Sequence, residues 1–147
     1  MKLQKIVNRL QKLHPKEIDL SLDRINKLCI KLGNPQDKIK TISIVGTNGK
    51  YSTIQALYAI LKEANLKCNI YTSPHIKKIN ERFVFNNQEL NDGELTSLFE
   101  EIEEANNNET ITFFEILTAA YFHKASKYPG NINLIETGLF HRFDATN

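Results

Sequence analysis

Residues Thr41–Thr53 read TISIVGTNGKYST. A short β-branched run, Thr41–Val45, feeds a glycine turn, and the turn opens onto a helical pattern marked by Ile54, Leu57, Leu61 and Ala64. Strand, glycine turn and helix start in that order build a phosphate site. The N–H groups of the turn and of the first helical turn point at the anion, and the helix dipole favours its charge. Lys50 would reach a terminal phosphate, and the hydroxyls of Ser52 and Thr53 would lie close to a bound Mg²⁺. A strict P-loop places four residues between its glycines and a Ser or Thr directly after its Lys. Here two residues separate Gly46 from Gly49, and Tyr51 precedes Ser52, so the stretch is a relative of that loop.

The segments around it alternate. Leu3, Ile6, Val7, Leu10 and Leu13 form a helical stripe, and Leu22, Ile25, Leu28, Cys29 and Leu32 form a second that stops at Gly33-Asn34-Pro35. Thr41–Val45 is apolar at nearly every position, which predicts a parallel strand buried on both faces. Lys67–Thr72 reads as the next strand and runs into the loop Ser73-Pro74-His75. Arg82–Phe85 and Gln88–Leu90 flank Asn86-Asn87, a predicted hairpin. Asn91 with Glu94 has capping-box spacing ahead of a helix through Leu95, Leu98, Phe99, Ile102 and Ala105. Phe113–Phe122 is apolar nearly all round and predicts a central helix. Pro129-Gly130-Asn131 turns the chain into a third parallel strand, Ile132–Glu136.

This alternation predicts an α/β fold, a P-loop-type parallel sheet flanked by helices, with ligands at the carboxyl ends of the strands. The loops after Val45, Thr72 and Glu136 all fall at that edge. Three parallel strands with no helix following the third would leave an unprotected sheet edge. The 147 residues are therefore expected to be the front part of a longer protein.

Composition narrows the class. The chain is 41% hydrophobic and 24% charged, as soluble globular domains are. No apolar run approaches a membrane span, and the charged amino-terminal segment has no secretory signal character, so no membrane partner and a cytoplasmic location are expected. Cys29 and Cys68 have no metal or redox spacing and read as buried, reduced thiols. Sixteen Lys and Arg stand against six Asp and Glu in residues 1–82, and three against eleven in 83–147. The basic half carries only Tyr51, Tyr58 and Tyr71 as aromatics, which disfavours a nucleic-acid partner. Solvated helix faces account for the charge, with attraction of small anionic substrates as an intermediate reading.

Five strings in order, GTNGK-x-ST, YTSPH, NER, TFFE and E-x-GL-x-x-R-x-DATN, together with IDLSLDR at Ile18–Arg24, resemble the folylpolyglutamate synthase/dihydrofolate synthase branch of the Mur ligase family. The resemblance runs over about the whole chain, and implies an incomplete Mur-ligase-like ATPase domain with the glutamate-binding domain absent. It implies an ATP-dependent ligase that adds L-glutamate to dihydropteroate or a folyl-glutamate, expected as a monomer, with ATP and Mg²⁺ as cofactors. It assigns the nucleotide to Thr47, Asn48, Gly49, Lys50 and Ser52, with Lys50 also catalytic, and Mg²⁺ to Ser73 and Glu136. It assigns the pteroate portion of the substrate to Ile18, Asp19 and Leu20, to Thr112, Phe113, Phe114 and Glu115, and to Phe143, Asp144 and Ala145.

Each position also has an ordinary reading. Gly49 and its neighbours could form a plain strand-to-helix turn, Ser73 a Ser-Pro turn, and Glu136 a solvated strand end. Thr112 and Glu115 have capping-box spacing, Phe113 and Phe114 suit a core, and Asp19 or Ser21 suits a helix cap. Tyr51, Phe140 and His141 replace glycines of the family pattern, at a cost of order one to a few kcal/mol wherever the backbone needs a positive φ. The chain alone is expected to lack ligase activity. The alternative is a non-catalytic nucleotide-binding remnant or degenerate paralogue. A P-loop kinase is disfavoured by the turn spacing and would leave TSPH and DATN unexplained.

Overall fold

The computed structural model describes residues 2–14, 21–138 and 144–146. Apolar residues at helical spacing form α1 (Lys2–Gln11), which buries Leu3, Ile6, Val7 and Leu10, and α2 (Asp23–Lys31), which buries Ile25, Leu28 and Cys29. Strand β1 (Lys40–Ile44) leads through the glycine turn into α3 (Lys50–Glu63), and β2 (Cys68–Tyr71) follows. The hairpin β3 (Phe83–Phe85) and β4 (Gln88–Glu89) turns at Asn86 and Asn87, with φ of 54° and 67°. Asn tolerates this left-handed region better than most residues. Helix α4 (Asp92–Asn106) starts on a capping box: the Asn91 side chain accepts from the N–H of Gly93 and Glu94, and the Glu94 carboxylate accepts from the N–H of Asn91. Helix α5 (Phe113–Ala125) is buried at nine positions, the central helix that its apolar sequence predicts, and β5 (Ile132–Glu136) closes the order.

The five strands form one sheet in the order β1-β5-β2-β3-β4. β5 pairs in parallel with both β1 and β2, whereas β2–β3 and β3–β4 are antiparallel. The sheet is therefore mixed, its parallel half extended by the hairpin. Side chains alternate across it. Tyr71, Phe83, Phe85 and Ile135 join the large core with α1, α2, α4 and α5, while Ile70, Leu134 and Ile44 face α3 with Ile54.

One expectation fails at β1. Its residues 40–43 are exposed and Ile42 is 41% accessible, so it is not a strand buried on both faces. Among the described residues β1 is the edge strand, pairs only with β5, and meets a single helix on the α3 face. Apolar composition distinguishes strand from loop but not a central strand from an edge. β5 takes the central place instead.

At the amino end of the parallel strands, buried asparagines satisfy one another. Asn133 accepts from the Asn69 amide at 3.0 Å and from the Tyr121 hydroxyl at 2.9 Å, and donates to the Lys40 carbonyl at 3.0 Å. Asn69 accepts in turn from Asn131 and from the Asn86 N–H. Such a network is tolerated in a core because its polar atoms are partnered. Cys29 and Cys68 are free and buried, as expected, and burial pushes the Cys29 thiol up to about 11.

Candidate functional site

The turn after β1 ends at Gly49, whose φ of 76° at the N-cap of α3 suits a residue without Cβ. Thr47, Asn48 and Gly49 are exposed, and so is Ser52 in the first turn of α3. Tyr51 lies within α3 and takes helical backbone, so its place in the motif requires no positive φ. Its ring is 60% exposed and borders a cavity of about 510 Å³ with Gln55, Pro74, Ile76 and Glu136.

Glu136 joins two further elements to this turn. Its Oε1 lies 3.8 Å from Lys50 Nζ, and its Oε2 accepts from the Ser73 N–H at 3.1 Å. Lys50 Nζ also donates to the Gly46 carbonyl at 2.9 Å, folding back over its own turn. Three strand ends thus bring a cation, a carboxylate and a hydroxyl residue together at the carboxyl edge of the sheet, where the sequence predicts them. The Ser73–Pro74 peptide bond at this corner is cis.

The metal assignment can be tested on donor chemistry. Among the described residues no group of three His, Cys, Asp or Glu side chains could hold a metal ion. Glu136 and Ser73 nevertheless suit Mg²⁺, which binds through one or two carboxylates plus phosphate oxygens and water. Glu136 Oε1 has only its 3.8 Å contact with Lys50, and the Ser73 hydroxyl has no protein partner among the described residues.

Ser73 and Pro74 also border a second cavity, of about 470 Å³, with His14, Arg82, Thr112, Phe113, Phe114, Gly138 and Asp144. Of the residues assigned to the pteroate portion, the structure brings Thr112, Phe113, Phe114 and Asp144 together here. Asp144 accepts from the N–H of Thr146 at 3.0 Å and from the Thr146 hydroxyl. A side chain at Gly138 would collide with the Asp144 carboxylate, which explains a glycine at that position. Glu115 is absent from the lining: its Oε2 accepts from the Thr112 N–H at 2.8 Å and from Arg24 Nε at 3.0 Å, forming a cap and an ion pair. Ala145 belongs to the large core. Ile18, Asp19, Leu20 and Phe143, with Phe140 and His141, lie outside the described residues.

Sequence reasoning left Arg82 and His75 without a role. Arg82 Nε donates to His75 Nδ1 at 2.9 Å, and burial together with Arg82 lowers the His75 pKa. The NER string carries Arg82, yet nothing in its spacing announces that it folds back toward Pro74. The loop between them is tied down by Glu81, whose carboxylate accepts from the N–H groups of Ile76, Lys77 and Lys78 at 2.8–2.9 Å. Those bonds hold the Glu81 carboxyl below its ordinary range.

No protein-family model matches the chain. It is 39% identical over 138 residues to the dihydrofolate synthase/folylpolyglutamate synthase of Haemophilus influenzae, covering 94% of this chain and 31% of that protein. The Escherichia coli enzyme of the same name is 36% identical over 140 residues, covering 94% and 33%. A structure of E. coli FolC in complex with DHPP and ADP superposes with a TM-score of 0.89 at 34% identity, over 98% of this chain. Over nearly its whole length the chain is similar to part of the folylpolyglutamate synthase/dihydrofolate synthase proteins. A bifunctional folylpolyglutamate synthase/dihydrofolate synthase from Yersinia pestis, complexed with AMPPNP and Mn ion, also matches with a TM-score of 0.89 at 32% identity. It covers 98% of this chain and 35% of that one. The chain thus spans about a third of the length of the family members it matches, and its mixed sheet and helices are those of the folylpolyglutamate synthase fold. No helix among the described residues is long and apolar enough to cross a membrane.

Proposed function

We propose that this chain is the nucleotide-binding portion of a cytoplasmic, monomeric ATP-dependent ligase that joins L-glutamate to dihydropteroate or a folyl-glutamate. The observation that carries the reading is the convergence of Lys50, Glu136 and Ser73 on a corner shared by the phosphate turn and the Phe113–Phe114 cavity. Thr47, Asn48, Gly49 and Ser52 are proposed to take the phosphates through turn N–H groups and hydroxyl, with Lys50 on the terminal phosphate. Thr112, Phe113, Phe114 and Asp144 are proposed to hold the pteroate portion, with Ile18, Asp19, Leu20, Glu115, Phe143 and Ala145 as further members of that set.

A carboxylate is a poor electrophile, so ligation needs a leaving group. A carboxylate oxygen of the substrate attacks the γ-phosphorus of ATP, the bond to the β–γ bridging oxygen breaks, and an acyl phosphate and ADP form. The glutamate amine then attacks the acyl carbon, the carbon–oxygen bond to phosphate breaks, and the amine gives up a proton. Lys50 and the turn N–H groups would stabilise charge on the transferring phosphoryl. Ser73 and Glu136 would hold Mg²⁺, whose chemistry there would be neutralisation of phosphate charge.

Because the chain spans about a third of its relatives, we propose that these residues alone bind nucleotide and acid without completing ligation. The test is thermal unfolding with Mg·ATP and with dihydropteroate, alongside an assay for the glutamate adduct. Each ligand is expected to raise Tm with no adduct formed. Absence of a shift with either ligand would overturn the binding assignment, and robust adduct formation would overturn the division of labour.

A further inference from the structure

A buried cation borders the aromatic cavity, and no described carboxylate pairs with it. Arg82 is 9% exposed and its Nε is taken by His75 Nδ1. That ring nitrogen accepts and so carries no proton, and burial pushes the neighbouring Tyr71 phenol up to about 12. Among the described residues no carboxylate lies within ion-pair distance of the guanidinium.

The acids that could compensate it are otherwise engaged. Glu81, its chain neighbour, accepts three backbone N–H groups of the preceding loop. Asp144, on the same cavity, accepts from Thr146. Glu136, around the Ser73 corner, faces Lys50 and the Ser73 N–H. Burying a charge without a partner is unfavourable, and the cost is recovered when an anion arrives. Arg is suited to that anion because its planar fork matches a carboxylate in a two-point contact, and its Nε anchor on His75 fixes the plane before the ligand binds.

The geometry points to Arg82 as the group that receives the carboxylate of the aromatic acid in the Phe113–Phe114 cavity and orients it toward the Ser73 corner. The inference rests on the proposed pteroate-type substrate and adds to it the residue that selects the ionised acid. The cavity supports a flat aromatic acid: Phe113, Phe114 and Pro74 offer apolar walls, and of its polar groups, Ser73, His14, Thr112, Asp144 and Arg82, the guanidinium is the one fixed cation. Ser73 borders both this cavity and the one that contains Glu136, so the cavity that Arg82 lines adjoins the one beside the glycine turn.

The test compares pteroate with its neutral carboxamide, each titrated into the chain by ligand fluorescence. The wild-type chain is expected to bind the acid about tenfold or more tighter than the carboxamide, the usual scale for a charge-assisted contact. Arg82→Gln should lose that preference through weaker acid binding, with carboxamide affinity unchanged. Arg82→Lys, which keeps the charge without the fork, should retain part of it and remains informative if the Gln variant does not fold. Equal binding of acid and carboxamide by the wild-type chain, or equal weakening of both by Arg82→Gln, would overturn the inference alone. Binding of neither compound by a wild-type chain that still binds Mg·ATP would remove the pteroate reading itself.

Discussion

The two faces of the sheet differ in how they are covered. Among the described residues, α1, α2, α4 and α5 bury a continuous core of twenty-six residues on one face, with Tyr71, Phe83, Phe99 and Tyr121 in edge and stacked ring contacts. On the other face α3 alone packs its Ile54 against Ile44, Ile70 and Leu134, while Ile42, Ile60 and Tyr51 remain 41–65% exposed. The thick face fixes the fold. The thin face carries the exposed glycine turn, Lys50 and the largely buried Glu136, the groups proposed to meet the nucleotide. Stability and binding should therefore respond to different substitutions.

The largest effects should come from the thick face. Tyr121→Ala or Phe99→Ala removes a fully buried ring and should cost about 3–5 kcal/mol in urea unfolding. Ile54→Ala, equally buried but under one helix, should fall near the lower end of about 2–5 kcal/mol because its surroundings can collapse. A loss at Ile54 as large as at Tyr121 would erase the contrast between the faces.

Asn133→Ala is the next step down. It leaves the Tyr121 hydroxyl, the Asn69 amide and the Lys40 carbonyl short of a partner, at about 1–3 kcal/mol. It sits at the opposite end of β5 from Glu136, so nucleotide affinity should be unchanged in calorimetry.

Smaller still is the contribution of Glu81, whose carboxyl is held low by the backbone N–H groups of Ile76, Lys78 and Lys77. A depressed carboxyl stabilises the fold above its ordinary value of 4.5, and that stability is lost as pH falls through the lowered one. The amide resonances of Ile76–Lys78 should therefore shift together in acid, and Glu81→Gln should abolish the transition. The smallest effect is expected at Ile60→Ser, within about 0.5 kcal/mol, because its side chain is already 65% exposed.

Helix and strand positions were legible because period and caps speak locally: the Asn91–Glu94 and Thr112–Glu115 boxes form as their spacing predicts. The glycine turn between β1 and α3 was legible for the same reason. Strand order was not, since β5 pairs on both sides with strands more than sixty residues earlier, and nothing local marks β1 as the edge. At the cavity, Thr112, Phe113, Phe114 and Asp144 followed from ordered motifs that resemble the family. The turning of Glu115 to Arg24 and of Arg82 to His75 depended on how separate elements pack, which no spacing records.

Calorimetric titration of Mg·AMPPNP into the wild-type chain and Lys50→Ala bears most directly on the thin face as a nucleotide site. The expected result is binding by the wild-type chain that weakens when Mg²⁺ is omitted, and at least about a tenfold loss in Lys50→Ala with an unchanged unfolding midpoint. Equal binding by both proteins would contradict it.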